Sequence, residues 1–443
     1  MKIGFVAMSG IRVCDKELLR LGLTLPGFVE RSQVIASLPS LGLLTLAGMT
    51  PSKHYLEYIE VPDVNDINGV PGDWDLVAIS SYSAQIDEAY ELARRYKERG
   101  IPVVMGGPHV THCPEEAAAY CDAVVIGEGE LTWFDILNDA ENGNLKTFYG
   151  SLDNSFDLAE APMPAFELLD ISKYNRLTVQ ASRGCPHKCE FCASSPLITK
   201  RYSQKPIEKV LAEIDKIKEL WDGHFIEFVD DNAIINKGYW RELLKELKTR
   251  KIKWFAETDI SVSEDEGLLS LMRESGCVQV LIGLESPEEM PLENLELRSN
   301  WKFKHFPKYK DAIKKIQSFG IRVTGCFIFG LDNQGPEVFE RVIEFIKETE
   351  MFDVQITLLT PFPGTPLYNR LKNEGRLLNE KDWKTCTLFD LNFIPKGVSV
   401  KELRDKFRNL GVYIYGDEFT EWRKSQFKKY LRKAMKTRRR NEK

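Results

Sequence analysis

Ala181-Ser-Arg-Gly-Cys185-Pro-His-Lys-Cys189-Glu-Phe-Cys192-Ala-Ser194 crowds three cysteines into eight residues, spaced Cys-x3-Cys-x2-Cys. A short β-rich apolar run, residues 178–182, leads directly into it, so the cysteines read as a loop at the carboxyl end of a strand. Three thiolates drawn together, in a chain with nine cysteines in all, suit metal ligation in a reducing compartment better than a disulfide framework. A 4Fe-4S cube normally takes four thiolates, so three protein ligands leave one iron open to another molecule. The competing readings are a structural zinc site and plain buried thiols. Zinc wants a fourth Cys or His at finger-like spacing, and His187 sits awkwardly between the first two cysteines.

Downstream, β-rich runs alternate with helix-period stretches. Strands are expected at 178–182, 225–230, 252–257, 278–283, 322–329 and 354–359, with helices at 206–220, 239–248, 264–274, 308–319 and 337–348. Such repeated βα units predict a partial (β/α)6 TIM-type barrel, whose reactive groups gather at the carboxyl ends of the strands. The second strand ends Phe228-Val-Asp-Asp-Asn232, the third Trp254-Phe-Ala-Glu257-Thr-Asp259, and the fourth Leu281-Ile-Gly-Leu-Glu285-Ser286. Carboxylates therefore recur at one end of three successive strands, although residues 230–232 also fit a plain turn or helix cap.

The cysteine spacing, with aromatic Phe191 just before the last cysteine, resembles the radical S-adenosylmethionine (SAM) superfamily. That resemblance implies a 4Fe-4S cluster on Cys185, Cys189 and Cys192. SAM would chelate the open iron through its amino and carboxylate groups, and reduction would cleave it to a 5′-deoxyadenosyl radical. A ligand with an ammonium, a sulfonium and a ribose diol needs acceptors when taken from water. The resemblance assigns Asp230, Asp231 and Asn232 to the SAM amino end and Glu257, Glu285 and Ser286 to later contacts, with Phe191 beside the cluster. The fifth strand, residues 320–330, is similar to the family segment whose backbone packs on adenine. It brings Phe327 and Gly330 into the SAM site, and Gly325 and Gly330 permit close approach. Thr360-Pro-Phe-Pro-Gly-Thr-Pro-Leu-Tyr368 looks like the loop beyond the last barrel strand, or a rigid Pro/Gly turn.

Upstream, strands at 2–8, 55–61, 76–80, 103–105 and 123–126, with a helix at 84–98 stopped by Gly100, predict a doubly wound parallel sheet of Rossmann or flavodoxin-like type. The strand ends carry Ser80-Ser81, Gly106-Gly107-Pro-His109 and Gly127-Glu128-Gly129-Glu130, small or flexible as a closely approached ligand requires. Together with Pro114-Glu115, they resemble the amino-terminal cobalamin-binding domain fused to many radical SAM enzymes. Cobalamin is thus expected at Ser80, Ser81, Gly106, Gly107, His109, Gly127, Glu128 and Gly129. The Asp-x-His-x-x-Gly loop that supplies a cobalt-binding histidine elsewhere is missing, and Asp66-Ile-Asn-Gly69 does not replace it. A domain that keeps the fold without the cofactor is therefore the alternative.

The expected division is 1–140 for the cobalamin-binding-like domain, 141–176 for a linker, 177–370 for the barrel and 371–443 for a helical carboxyl-terminal region. The long connection before Pro39, with Cys14 and residues 20–28, covers a substrate or packs on the barrel. Cys113, Cys121, Cys277, Cys326 and Cys386 show no ligand spacing and read as core or surface.

A chain of 443 residues holds two or three domains, and 43% hydrophobic with 28% charged residues excludes a fibrous, collagen-like or wholly disordered protein. The net charge of −6 gives no global attraction to nucleic acid or anionic lipid. The apolar stretch 36–49 is too short and too broken to span a bilayer, and the first eight residues read as a buried strand instead of a signal peptide. A cytoplasmic protein is expected. Residues 423–443 carry eleven Lys and Arg against one acidic residue, which leaves +10 there and −16 on the rest. Phe419, Trp422, Phe427, Tyr430, Leu431 and Met435 fall near helical spacing. A basic amphipathic helix peripheral to a membrane, a solvated tail, or packing of Phe419 and Trp422 on the barrel are all consistent with that pattern.

The leading expectation is cobalamin-dependent methylation of an unactivated carbon, with an external electron donor such as flavodoxin or ferredoxin. Radical SAM cyclisation, oxidation or rearrangement without methyl transfer is the runner-up. A tRNA methylthiotransferase would want a second cysteine trio and an RNA-binding β-barrel, and nucleic acid is disfavoured as a partner. A non-enzymatic metal-binding module is disfavoured by the open three-cysteine site. Small-metabolite, lipid and peptide substrates all stay open, with specificity expected in 287–308 and 377–396.

Overall fold

The computed structural model describes residues 1–20, 38–194, 197–199, 201–223 and 225–441, so most of the 20–28 stretch lies outside the described residues. The first sheet contains β1 (Lys2–Met8), β2 (Tyr55–Val61), β3 (Leu76–Ser80), β4 (Val103–Gly106), β5 (Ala123–Ile126) and β6 (Phe148–Gly150). All pairings are parallel, in the order β2-β1-β3-β4-β5-β6. This is the doubly wound order, in which the sequence direction reverses beside β1 and β3. Strands buried on both faces must be apolar throughout, and β1 is buried from Ile3 to Met8. Ile86–Glu98 and its neighbours cover one face, while Leu41–Met49 and Trp133–Glu141 cover the other, giving two separate cores. Sequence patterning missed β6, since three residues offer too short a run to register.

The second sheet is built from β7 (Leu177–Val179), β10 (Phe225–Phe228), β11 (Lys253–Thr258), β12 (Cys277–Glu285), β13 (Arg322–Phe329) and β14 (Asp353–Leu358), adjacent in that order and wholly parallel. Between β7 and β10 lie β8 (Ser182–Arg183) and β9 (Ser203–Gln204), a small antiparallel pair. The expected 178–182 strand is thus split, because Asp230 takes the Ala181 N–H and the Ser182 hydroxyl and turns the chain out of the sheet. The helices Ile207–Leu220, Lys237–Arg250, Glu266–Glu274, Tyr309–Ser318 and Val338–Thr349 cover the outside. Asn236 and Asp265 accept N-cap hydrogen bonds from Tyr239 N and Leu268 N, which fixes where two of these helices begin.

Alternation along the barrel strands separates two environments. Ile226, Phe228, Trp254, Ala256, Val280, Ile282 and Val323 pack outward against the helices. The intervening positions Thr178, Glu227, Phe255, Glu257, Gln279, Thr324, Cys326 and Gln355 line up in register on the inner face. The lumen is therefore polar. The carboxyl-terminal region does not simply trail away. Trp383 and Cys386 complete a core of the first sheet, and Val400–Tyr415 and Asp417–Asn441 lie along the barrel. Phe419 and Phe427 are buried, Phe427 meets Phe352 at 5.1 Å, and the buried Arg423 pairs with Asp353 at 3.1 Å, so this helix spends its apolar side on the barrel. Among the described residues no helix is long and apolar enough to cross a membrane.

Candidate active site

The cysteine loop leaves the carboxyl-end mouth of the barrel through Gly184 at φ 93°, and a Cβ there would lie 2.7 Å from the Arg201 carbonyl, so only glycine fits. Gly184 N donates to Asp231 at 3.1 Å, which ties the loop to the end of β10. On its far side the loop forms an antiparallel bridge between Cys189 and Glu296, and Leu367 N donates to Glu190 O. The Glu296 carboxylate is 1% exposed and accepts five hydrogen bonds from Lys188 N, Arg298 N, Ser299 N, Ser299 Oγ and Trp301 N. Burial works against its charge, yet these donors prevail and hold the carboxyl at about 2. Arg370 forks onto Glu190 at 2.7 and 3.0 Å as a third anchor.

Cys185, Cys189 and Cys192 are free, half-buried thiols near enough to feel one another's charge. Burial first, and then neighbouring Cys192 and Asp231, push the Cys185 thiol up to about 12; burial and Glu285 do the same to Cys189. Among the described residues no three Cys, His, Asp or Glu side chains converge on a single point, as one tetrahedral zinc would require. A cube that gives each thiolate its own iron needs no such convergence, so three separate thiols on one loop fit the cluster.

Around the loop the lumen is strongly acidic. Glu257 has open surface, but that surface faces the enclosed lumen, and its carboxyl makes no hydrogen bond to the described residues. Burial, followed by Glu227, Asp231 and Glu285, pushes it up to about 8. Glu285 occupies a left-handed conformation, φ 63°, at the bulged end of β12 and pairs with buried Lys302 at 2.7 Å. Lys302 also donates to Gly283 O at 2.8 Å, and the charges of Glu285 and Cys189 raise its pKa despite burial. Such an unspent carboxyl beside a balanced pair fits a cationic, hydroxyl-bearing ligand.

The other expected SAM residues are committed internally. Asp230 is buried, pushed up to about 7 by desolvation, and holds Ala181 and Ser182. Asn232 donates to Asp259 at 2.8 Å, and its Oδ1 has no partner among the described residues. Burial disfavours the Asp259 charge, but hydrogen bonds from His187, Ser261 and Asn232 keep its carboxyl below the ordinary range. Ser286 Oγ accepts from Glu288 N at 3.1 Å. Phe327 points outward onto Phe345, and Phe191 packs against the barrel core. Gly330 N donates to Gln334 at 2.9 Å, and Phe393 would stand 2.9 Å from a Cβ there.

At the first sheet, Gly107 adopts φ 110° with the Ser81 carbonyl 3.3 Å from where a Cβ would lie, while a Cβ on Gly106 would meet only Val125 at 3.6 Å. Ser80 ends β3, and Ser81 Oγ donates to Tyr82 O. His109 is buried: its Nδ1 lies 3.0 Å from Ser83 Oγ, its Nε2 3.3 Å from Glu116, and Trp383 meets it edge-on at 5.0 Å. Gly127 N donates to Thr111 Oγ1, Gly129 lies beside Leu46, and Glu128 is a buried ion-pair partner of Arg183. Between these strand ends and the cysteine loop lies a cavity of about 120 Å³, lined by Tyr82, Ser83 and Pro108 on one side, Ala193 and Leu197 on the other, and Phe362 and Pro363. Its walls are mostly apolar, and beside it the backbone at Gly106 and Gly107 is open to close approach by a ligand held at the first sheet's edge. Sequence reasoning missed Tyr82, Arg183, Glu296 and Lys302. Tyr82 adjoins the Ser80-Ser81 strand end and Arg183 stands within the cysteine stretch, but nothing local marks Glu296 or Lys302.

Comparison with known proteins agrees with this geometry. Family models match for the radical SAM superfamily over residues 179–346, the B12 binding domain over 37–136, and a domain of unknown function over 365–443. An uncharacterized methyltransferase of Pyrococcus horikoshii is 31% identical over 412 residues, covering 85% of this chain and 88% of that one. The bacteriochlorophyllide d C-8(2)-methyltransferase of Chlorobaculum tepidum is 28% identical over 388 residues, covering 85% and 84%. Among solved structures, the radical SAM methyltransferase TsrM of Kitasatospora setae, with cobalamin and a 4Fe-4S cluster bound, superposes with a TM-score of 0.68 at 14% identity, over 98% of this chain and 99% of that one, a likeness of fold. The cysteine loop, the two parallel sheets and these relatives lead to one conclusion: the chain belongs to the radical SAM superfamily, in its cobalamin-dependent methyltransferase branch.

Proposed function

We propose that this enzyme transfers a methyl group to an unactivated carbon, with Cys185, Cys189 and Cys192 holding the cluster. One observation carries the reading: the carboxyl ends of two parallel sheets face each other across a single cavity, and the cysteine loop forms one of its walls. When bound, the 4Fe-4S cluster with SAM supplies a 5′-deoxyadenosyl radical and cobalamin supplies the methyl group.

The chain's own residues position and balance charge. Asp231 and Glu257 offer acceptors to the ammonium and ribose hydroxyls of SAM, and Lys302 neutralises Glu285 so that the lumen does not hold an excess of unpaired anions. Asp230, Asn232, Ser286, Phe191, Phe327 and Gly330 support the site from behind, through the contacts described above. Gly106 and Gly107, with Ser80 and Ser81, let cobalamin approach the backbone closely, whereas His109, Gly127, Glu128 and Gly129 shape that edge from within. A one-electron donor such as flavodoxin or ferredoxin reduces the cluster. The Lys- and Arg-rich end beyond Phe427 offers contact with an anionic membrane surface through its charge.

The test is anaerobic reconstitution of the wild type beside a triple variant, Cys185→Ala, Cys189→Ala and Cys192→Ala, with iron, sulfide and cobalt measured. About four irons per chain in the wild type, lost in the variant, together with bound cobalt are expected. Zinc in place of iron refutes the assignment. Iron without cobalt, even after cobalamin is supplied, replaces methyl transfer by a cobalamin-free radical reaction.

A further inference from the structure

Two sheets with separate cores meet across the active-site cavity, and contacts of that kind between domains ordinarily permit relative motion. A buried ion-pair fork crosses the junction at the cysteine loop itself. Arg183 Nη1 donates to Glu128 Oε1 at 2.6 Å and Nη2 to Glu130 Oε1 at 2.7 Å. Gln180 Oε1 accepts from Nη2 at 3.0 Å and from Nε at 3.3 Å, which orients the guanidinium from its own side. The second oxygen of Glu128 accepts from Phe156 N at 2.8 Å, so this carboxylate is fully spent inside the protein. The side chains of Arg183, Glu128 and Glu130 are 15%, 1% and 7% exposed.

We propose that Arg183 is a positioning residue: its fork onto Glu128 and Glu130 locks the cysteine loop to the end of β5 and so fixes the separation between the cluster and cobalamin sites. The inference rests on the cobalamin reading above. Arg183 lies two residues before Cys185 and Glu128 two residues beyond the end of β5, so only short stretches of chain separate the fork from the two sites. A guanidinium suits the task because its rigid plane meets two carboxylates at once, whereas an ammonium acts as a point charge. Burial makes the arrangement strongly cooperative: loss of the cation leaves two carboxylates facing each other with little water to screen them. Fixed spacing matters because a misplacement of about 1 Å between reacting groups costs roughly a hundredfold in rate. Glu128 then acts on cobalamin through position and not by contact.

The test compares wild-type holoenzyme, loaded with cluster and cobalamin, with Arg183→Met and Arg183→Lys. Pulsed electron paramagnetic resonance measures the distance between paramagnetic cob(II)alamin and the reduced cluster, and hydrogen exchange follows amides 127–130 and 180–184. The wild type should give one narrow distance distribution. Arg183→Met should broaden it and speed exchange in both segments by about tenfold or more, with the outer barrel helix Val338–Thr349 unchanged, and Arg183→Lys should fall between. Unaltered distance and exchange in folded Arg183→Met overturn the proposal. Should that variant fail to fold, Glu130→Gln carries the test, with the same direction and a smaller shift expected. Wild type that binds no cobalt overturns the methyltransferase reading instead, and the exchange comparison alone then decides whether Arg183 locks the loop.

Discussion

Replacing Glu296 with Gln should loosen the cysteine loop without unfolding the enzyme. The wild-type carboxylate gathers five donors at 2.6–3.3 Å, one of them Lys188 N between two of the cysteines. A carboxyl held at about 2 against an ordinary 4.5 has its charged form stabilised by roughly 3 kcal/mol. The group lies just beneath the surface, so solvent screening reduces this to about 2 kcal/mol. The contribution belongs to a depressed carboxylate: it is complete above about pH 4.5 and is lost only as pH falls toward 2, so neutral pH shows all of it. The amide keeps an acceptor at one position but turns an N–H₂ toward the N–H groups of Ser299 and Trp301, which are then orphaned, while the Ser299 hydroxyl can turn to accept from it. About 2 kcal/mol corresponds to roughly thirtyfold faster opening, read as hydrogen exchange at amides 188–192 and 295–301 at pH 7. The helix Ile86–Glu98, in the other sheet's core, serves as the internal control. Faster loss of iron to a chelator should accompany the change. Exchange within about twofold of wild type in both segments would refute the argument that this carboxylate holds the loop.

Glu257→Gln should change the pH dependence of stability in cluster-free protein. With the folded carboxyl near 8 and the ordinary value 4.5, the native state retains a proton that the unfolded chain has lost between those limits. Wild-type stability therefore falls as pH rises through that window, and the variant should match wild type near pH 5 but melt higher by pH 8.5; parallel melting curves across the range would contradict it. Gly107→Ala forces a side chain into φ 110° with the Ser81 carbonyl 3.3 Å away. It should cost about 1–2 kcal/mol and weaken cobalamin retention, measured by denaturant unfolding and by cobalt content after gel filtration.

Much of the architecture was legible because its causes are local. β13 occupies the expected 322–329, and the other barrel strands lie within two or three residues of expectation at each end, since alternation of apolar strand and amphipathic helix is written in neighbouring residues. The cysteine spacing and the glycines at the first sheet's edge belong to the same short-range record. Where the chain was harder to read, distance along the sequence is the reason. Glu296 holds Lys188 from 108 residues away, Lys302 balances Glu285 across a loop, and Trp383 enters a core that begins at β1.

Carboxylates at strand ends illustrate the division most clearly. Sequence alone placed Asp230, Asp231, Glu257 and Glu285 at one mouth of the barrel, because strand ends and residue types are local facts. Only the tertiary structure separated them by environment: Asp230 spent on the chain turn at Ser182, Glu285 on Lys302, and Glu257 left facing the lumen with no hydrogen bond to the described residues. The same holds for Arg183, whose neighbours in sequence announce a metal loop but whose partners arrive from another sheet. Whether a charged group is free or satisfied depends on what the fold brings within about 3 Å of it, and spacing along the chain does not encode that distance.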